Sequence, residues 1–283
     1  WTTFEGTQPE ENKAAVTWYE SQLNQALTEL EDHFSKFRIS DALHTLYKLI
    51  WTDFCSWYLE MVKPEFEKPI DKITYDKTVL FFETLLKALH PFMPFITEEL
   101  WHELKQRSEK DCIVVAPTPT PASFDQQILD EAQLSFDIIT EIRNTRNTKK
   151  ISPKETIKLL VKNGDKAPVN TFWKVIKKLS NLTEISFVSA APATNATPFL
   201  VRALEFYIPL EGKVDVATER EAIFKDIEYQ KGFLVSVDKK LSNEKFVNSA
   251  PPQVIEMERK KKADAEAKIK ALQASLNRLE EQK

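Results

Sequence analysis

Residues 241–279 read LSNEKFVNSAPPQVIEMERKKKADAEAKIKALQASLNRL, and the adjacent Pro251 and Pro252 end any continuous helix through them. Upstream, Ile223, Ile227, Gln230, Leu234, Val237 and Leu241 alternate steps of four and three. Downstream, Ile255, Glu258, Lys262, Ala265, Ile269, Leu272, Leu276 and Leu279 repeat the same rhythm. Two heptad helices with a short connection are expected to fold back as an antiparallel coiled-coil hairpin. At the helical rise, arms of about 25 residues reach roughly 35–40 Å, too far to be buried in a small domain, so the hairpin projects.

Folding back collects charge at the outer end. Lys239, Lys240 and Lys245 come beside Arg259, Lys260, Lys261 and Lys262, outnumbering Asp238, Glu244, Glu256 and Glu258. The tip is therefore locally positive in a chain whose net charge is −4. Such cations neutralise phosphates and release counterions, and Phe246 offers either a ring face for a stacked base or a plug for the turn. The plain alternative is a solvated coiled-coil surface. Glu258 and Lys262 weaken the apolar seam near the tip, while Ile269, Leu272, Leu276 and Leu279 pack the base.

Working back toward the start, residues 151–212 change period. ETIKLLVKNG, LTEISFVS and FLVRALEFYIPLEG read as strands, with PVNTFWKVIKKLS as a helix between the first two, a small α+β (βαββ) connecting module. Residues 1–150 carry helical periodicity. NKAAVTWYESQLNQALTELEDHF is one amphipathic face, and DALHTLYKLIWTDFCSWYLEMVK is apolar over so much of its circumference that burial on several sides is expected. KITYDKTVLFFETLLKALH, FITEELWHELKQR and a helix from Asp125 to about Lys149 complete a bundle. The fold class is thus mainly α: helical bundle (1–150), small α+β module (151–212) and coiled-coil hairpin (213–283).

The bundle holds its own candidates for contact with a nucleic acid. Trp51, Trp57 and Tyr58 can offer ring faces to stacked bases, but at helical spacing in an apolar helix they read as core. Trp57, off the stripe shared by Trp51, Phe54 and Tyr58, is the better candidate for exposure. Arg38 and Lys63 sit at helix boundaries. Arg143 and Arg146, three apart on one helix face and followed by Lys149 and Lys150, can hold an RNA backbone, or can complement the helix dipole.

Other classes are excluded by composition. Four glycines in 283 residues argue against glycine-rich phosphate loops, and no run approaches the roughly 18 apolar residues of a membrane span. The first residue is Trp1 rather than Met, which points to a piece or a processed chain. Cys55 and Cys112 lie in apolar runs without ligand spacing, and two buried reduced thiols in a cytoplasmic protein are expected. His33, His44, His90 and His102 show no metal spacing, Glu98 and Glu99 read as a solvated face, and no catalytic or metal-binding constellation emerges.

With these residues in view, the chain resembles the valyl-tRNA synthetases. Residues 241–279 are similar to the C-terminal arm of that family, ALHTLYKLIWTDFCSWYLEMVKP to its anticodon-binding bundle, and LLKALHPFMPFITEELWHEL and IITEIRNTRNTKKISP to the segments that follow in the same order. Isoleucyl relatives end in a cysteine-bearing zinc module and leucyl relatives in a different small domain. The resemblance implies anticodon stem-loop binding by the bundle and contact of the arm with the outer corner of a valine tRNA. The HIGH-like and KMSKS-like strings of the ATP site are absent here, so ATP and Mg belong to a catalytic domain this chain lacks. A monomer inactive by itself is expected. The competing expectation, from another class, is a structural coiled-coil module that binds a partner helix and no RNA.

Overall fold

A computed structural model of the chain describes residues 1–108, 110–162, 171–192, 196–209, 216–243 and 252–281. The fold is mainly helical with a small mixed sheet. It divides into two compact units, Trp1–Phe136 with Val169–Leu179, and Asp137–Pro168 with Ser180–Lys283.

In the first unit α1 (Glu10–Ser35) opens with Glu10 and Glu11, acids placed favourably at a helix N-terminus. Its inner face buries Ala15, Trp18, Tyr19, Leu23 and Leu30. Helix α2 (Ile39–Tyr47) runs on into a wider π-helical stretch over Lys48–Tyr58 and then α3 (Leu59–Val62), contributing Ala42, Leu46, Leu49, Phe54, Tyr58 and Met61 to the same core. Helix α4 (Lys72–Leu89) is capped by Asp71, which accepts hydrogen bonds from the Thr74 amide and the Asn12 side chain, each at 2.8 Å. Tyr19 sits at the centre of the core, its ring 4.9 Å from Tyr58, 5.1 Å from Phe81 and 5.3 Å from Phe54. Helix α5 (Pro94–Leu104) starts on a proline, whose missing amide costs nothing there. Strands β1 (Thr3–Phe4) and β2 (Ile70–Asp71) form a short parallel pair.

The expectation that the second helix is buried on several sides is corrected by the structure. Leu43, Tyr47 and Trp51 are exposed, as are Ile39 and Cys55, each four residues from the next. Along an α-helix such a row drifts around the axis. The wider π turn, bonded from i to i+5, rotates less per residue and brings Trp51 and Cys55 back under it. The Ser56 hydroxyl donates to the Trp51 carbonyl at 2.9 Å, one residue beyond the usual α-helical reach.

Helix α6 (Gln126–Thr148) supplies Ile128, Leu129, Ala132 and Phe136 to the first core, and Ile138, Ile139 and Ile142 are buried farther along it. In the second unit strands β3 (Ile157–Lys162), β4 (Leu182–Val188), β5 (Ala196–Val201) and β6 (Leu204–Pro209) form one sheet in the order β4-β3-β6-β5. β3 and β4 are parallel, β6 runs antiparallel to both β3 and β5, and Val161 pairs with Phe206 at its centre. The segment expected as a single third strand is a hairpin, reversed at Arg202 with φ 53°. Helix α7 (Trp173–Leu179), expected in the connecting module, groups with the first unit: Val175 joins its core and Lys178 donates to the Met61 and Lys63 carbonyls, both at 2.7 Å.

Helices α8 (Val216–Leu241) and α9 (Pro252–Glu281) pair in opposite order. Ile223 and Ile227 of α8 pack with Leu272 and Leu276 of α9, whereas Asp238 and Lys240 meet Lys262 and Glu258. Val237 and Ala265 are buried between. Lys245 and Phe246, and the Leu279 side chain, lie outside the described residues. No described helix is long and apolar enough to cross a membrane.

Candidate nucleic-acid interface

On α8 and α9 the expected cations separate into two kinds. Glu258 faces the seam with its side chain only 8% exposed, hydrogen-bonded by Lys261 at 2.7 Å and approached by Lys240 at 3.6 Å. Lys262 pairs with Asp238 at 2.8 Å and stands 3.9 Å from Glu266. Lys240 and Lys262 thus fasten α8 to α9, while Lys261 holds Glu258 within α9. Lys239, Arg259 and Lys260 are exposed and hold no ion pair with any described residue. Six of the eight expected arm residues are therefore placed, and three of those six pair with no acid among the described residues.

The Lys261 hydrogen bond, opposed by burial and helped by the Lys240 charge, holds the Glu258 carboxyl below the usual glutamate range. A carboxylate with a depressed folded pKa stabilises fully above its unfolded value, and the contribution is lost as pH falls through the folded value. Hydrogen-exchange protection of α8 and α9 should consequently be constant near neutrality and fall selectively in mild acid. Glu258→Gln should remove that pH dependence.

In the second unit Arg143 is exposed on α6. Arg146, expected beside it as an RNA contact, has a different task. It is only 6% exposed, and its two Nη atoms donate to four carbonyls: Ser152 at 3.1 Å, Glu155 at 2.9 Å, Ser180 at 2.9 Å and Asn181 at 3.1 Å. Burial and this acceptor set leave no donor fork for a phosphate, so Arg146 is withdrawn from the interface. It fastens the end of α6 to the entries of β3 and β4.

In the first unit Arg38 is exposed at the start of α2, with no ion pair to a described residue. Phe37, immediately before it, is 88% exposed at φ 57°. A bulky residue in the left-handed region is strained, and such strain collects at functional sites. Lys63 is exposed and pairs with Glu60 at 3.2 Å, a bond of little worth at a surface. Trp57 is corrected: it is half-buried, with its ring stacked on Phe136 at 4.0 Å and 16°. Trp51, read as core, is 62% exposed instead, and Tyr47 is exposed beside it. Sequence reasoning missed Phe37 and Tyr47 and set Trp51 aside as core, although all three rings are exposed. Trp57→Ala should lower stability by about 2–4 kcal/mol. Trp51→Ala should stay within about 0.5 kcal/mol. Denaturant titration of the two variants checks both values.

The thiols also depart from expectation. Cys55 is exposed on the π-helical stretch, and partial desolvation of its thiol raises its pKa. Cys112 is half-buried, and its sulfur lies within 4.8 Å of ligand atoms of Glu98 and His102. Glu98, read as a solvated side chain, accepts hydrogen bonds from the Ile113 amide.

Comparison with known proteins matches residues 17–161 to the anticodon-binding domain of tRNA ligase and residues 215–280 to the valyl tRNA synthetase tRNA binding arm. The chain is 46% identical over 272 residues to a valine–tRNA ligase of Christiangramia forsetii, covering 96% of this chain and 31% of that protein. It is 46% identical to the valine–tRNA ligase of Parabacteroides distasonis over 95% of the chain and 30% of that protein. For Agrobacterium fabrum the identity is 31%, with 93% of the chain and 29% of the ligase covered. The chain thus spans under a third of the length of these relatives.

Proposed function

The chain belongs to the family of tRNA ligases with this anticodon-binding domain, aligned with the C-terminal part of valine–tRNA ligases, and from that premise we propose that it recognises valine tRNA. The helical bundle, residues 1–150, takes the anticodon stem-loop. Residues 151–212 form the connecting α+β module, and residues 213–283 form an antiparallel coiled-coil arm that reaches the tRNA elbow. The observation that carries the reading is the ordered pair of family matches, with Lys239, Arg259 and Lys260 exposed on the second of them and in no ion pair with a described residue.

Arg38, Lys63 and Arg143 supply phosphate contacts in this reading, and Tyr47 and Trp51, rather than Trp57, supply the faces on which unpaired bases stack. Lys245 and Phe246, beside the arm cations in sequence, extend the elbow contact. The chain acts as a cytoplasmic monomer within a larger ligase whose catalytic domain uses ATP and Mg to attach valine, and by itself it does not catalyse valine-dependent pyrophosphate exchange.

Ribonuclease footprinting on a valine tRNA tests the division of labour. Protection is expected in two separate places, the anticodon loop and the elbow. Truncation after residue 212 should remove only the elbow footprint, and protection confined to the acceptor end would contradict the proposal.

A further inference from the structure

We propose that Glu98, His102 and Cys112 form a binding site for a divalent cation of the zinc class, independent of tRNA recognition. Glu98 and His102 lie four apart on α5 and so project from one face. Cys112 reaches them from the far end of the following segment, and the three ligand atoms lie within 4.8 Å of one another. They are a carboxylate oxygen, an imidazole nitrogen and a sulfur, the donor types zinc prefers.

The spacing fits the ion. Two donors about 2.0–2.2 Å from a tetrahedral zinc stand roughly 3.3–3.5 Å apart. Glu98 Oε1 and His102 Nε2 are already 3.1 Å apart. The sulfur bonds at about 2.3 Å, so a small inward shift brings it into range.

The surroundings hold the third ligand in place. The Trp101 indole donates to the Asp111 carbonyl at 3.0 Å, one residue before the cysteine. Arg107 lies over the Trp101 ring at 3.7 Å, donates to the Trp101 carbonyl and pairs with Glu83. On the other side Ile113 is buried with Leu86 and Trp101. Its amide donates to Glu98 Oε2 at 3.1 Å and to Oε1 at 3.3 Å. With Oε1 on the ion, the bond to Oε2 would remain as the outer hydrogen bond that orients a metal-binding carboxylate. As the sulfur–metal bond forms, the thiol releases its proton to solvent. Three protein ligands leave a fourth position for water, and the ion would tie the segment after α5 to the helix.

Cobalt(II) titration of the intact chain, with a non-thiol reductant present, tests the proposal. A saturable one-to-one thiolate-to-cobalt absorption band is expected, displaced by zinc, unchanged in Cys55→Ser and absent in Cys112→Ser. His102→Gln should weaken binding at least roughly tenfold. Alkylation of the unmodified protein, read by mass spectrometry, gives a check that needs no variant: zinc should slow labelling of Cys112 and leave Cys55 unaffected. Absence of a saturable band, a band that survives Cys112→Ser, or equal labelling of Cys112 with and without zinc would overturn the site.

Discussion

Replacing Arg146 with alanine should destabilise the second unit by on the order of 3–5 kcal/mol, the largest stability effect of any single change considered. The side chain is buried, and four backbone carbonyls converge on its two Nη atoms. Alanine leaves those acceptors without their charged donor in a place water reaches poorly, and the cost of desolvated, unpaired groups exceeds what the bonds contribute when formed. Lysine should rescue little. Its single ammonium cannot span acceptors on two separated segments, residues 152–155 and 180–181, as a planar fork does. Chemical denaturation should show the loss, and hydrogen exchange should place it at the end of α6 and the starts of β3 and β4. A loss of tRNA affinity without loss of stability would return Arg146 to the interface.

Replacing Lys239, Arg259 and Lys260 together with alanine should weaken tRNA binding and lower the slope of log affinity against log salt by about 2 to 3. The physical reason is counterion release: each phosphate neutralised by the protein frees condensed cations, so affinity falls with salt in proportion to the number of contacts. If the intact chain neutralises about four phosphates, its affinity should fall roughly a hundredfold between about 50 and 200 mM salt. Lys261 and Lys262 make the informative contrast. Both are held by acids, Lys261 by Glu258 and Lys262 by Asp238, so a phosphate must compete with an existing partner. Replacing Lys262 should loosen the pairing of α8 with α9 more than it lowers the salt slope, and replacing Lys261 should free Glu258 within α9.

How far the sequence revealed this arrangement depended on whether a signal was local. The rhythm of fours and threes from Ile223 to Leu276 set the helical pairing, because a seam is a one-dimensional pattern. The reversal at Arg202 was hidden, since left-handed backbone there carries no glycine or asparagine to mark it. Trp57 and Trp51 were exchanged because helical-wheel arithmetic assumes the α turn, and the stretch from Lys48 to Tyr58 has a wider one. Phe54 and Tyr58, on the expected stripe with Trp51, went to the core while Trp51 did not.

Arg146 illustrates a deeper limit. A basic pair near a helix end has the same appearance in sequence whether it waits for RNA or fastens distant backbone, and its acceptors at Ser180 and Asn181 lie more than thirty residues away. Glu98 was read with Glu99 as a solvated face and His102 as lacking metal spacing, because the approach of Cys112 depends on Trp101 and Arg107 anchoring the intervening segment. Of the expected arm cations, the sequence could not say which were already paired. Asp238 and Glu258 decided that, and their reach across the seam is a property of the fold.

The most direct test of tRNA recognition is a fluorescence anisotropy titration of this chain against a valine tRNA and an unrelated tRNA, each at two salt concentrations. The account predicts tighter binding to the valine tRNA, with an affinity that falls steeply as salt rises. Equal affinity for both tRNAs would contradict anticodon reading by the bundle, and absence of binding at low salt would contradict the account as a whole.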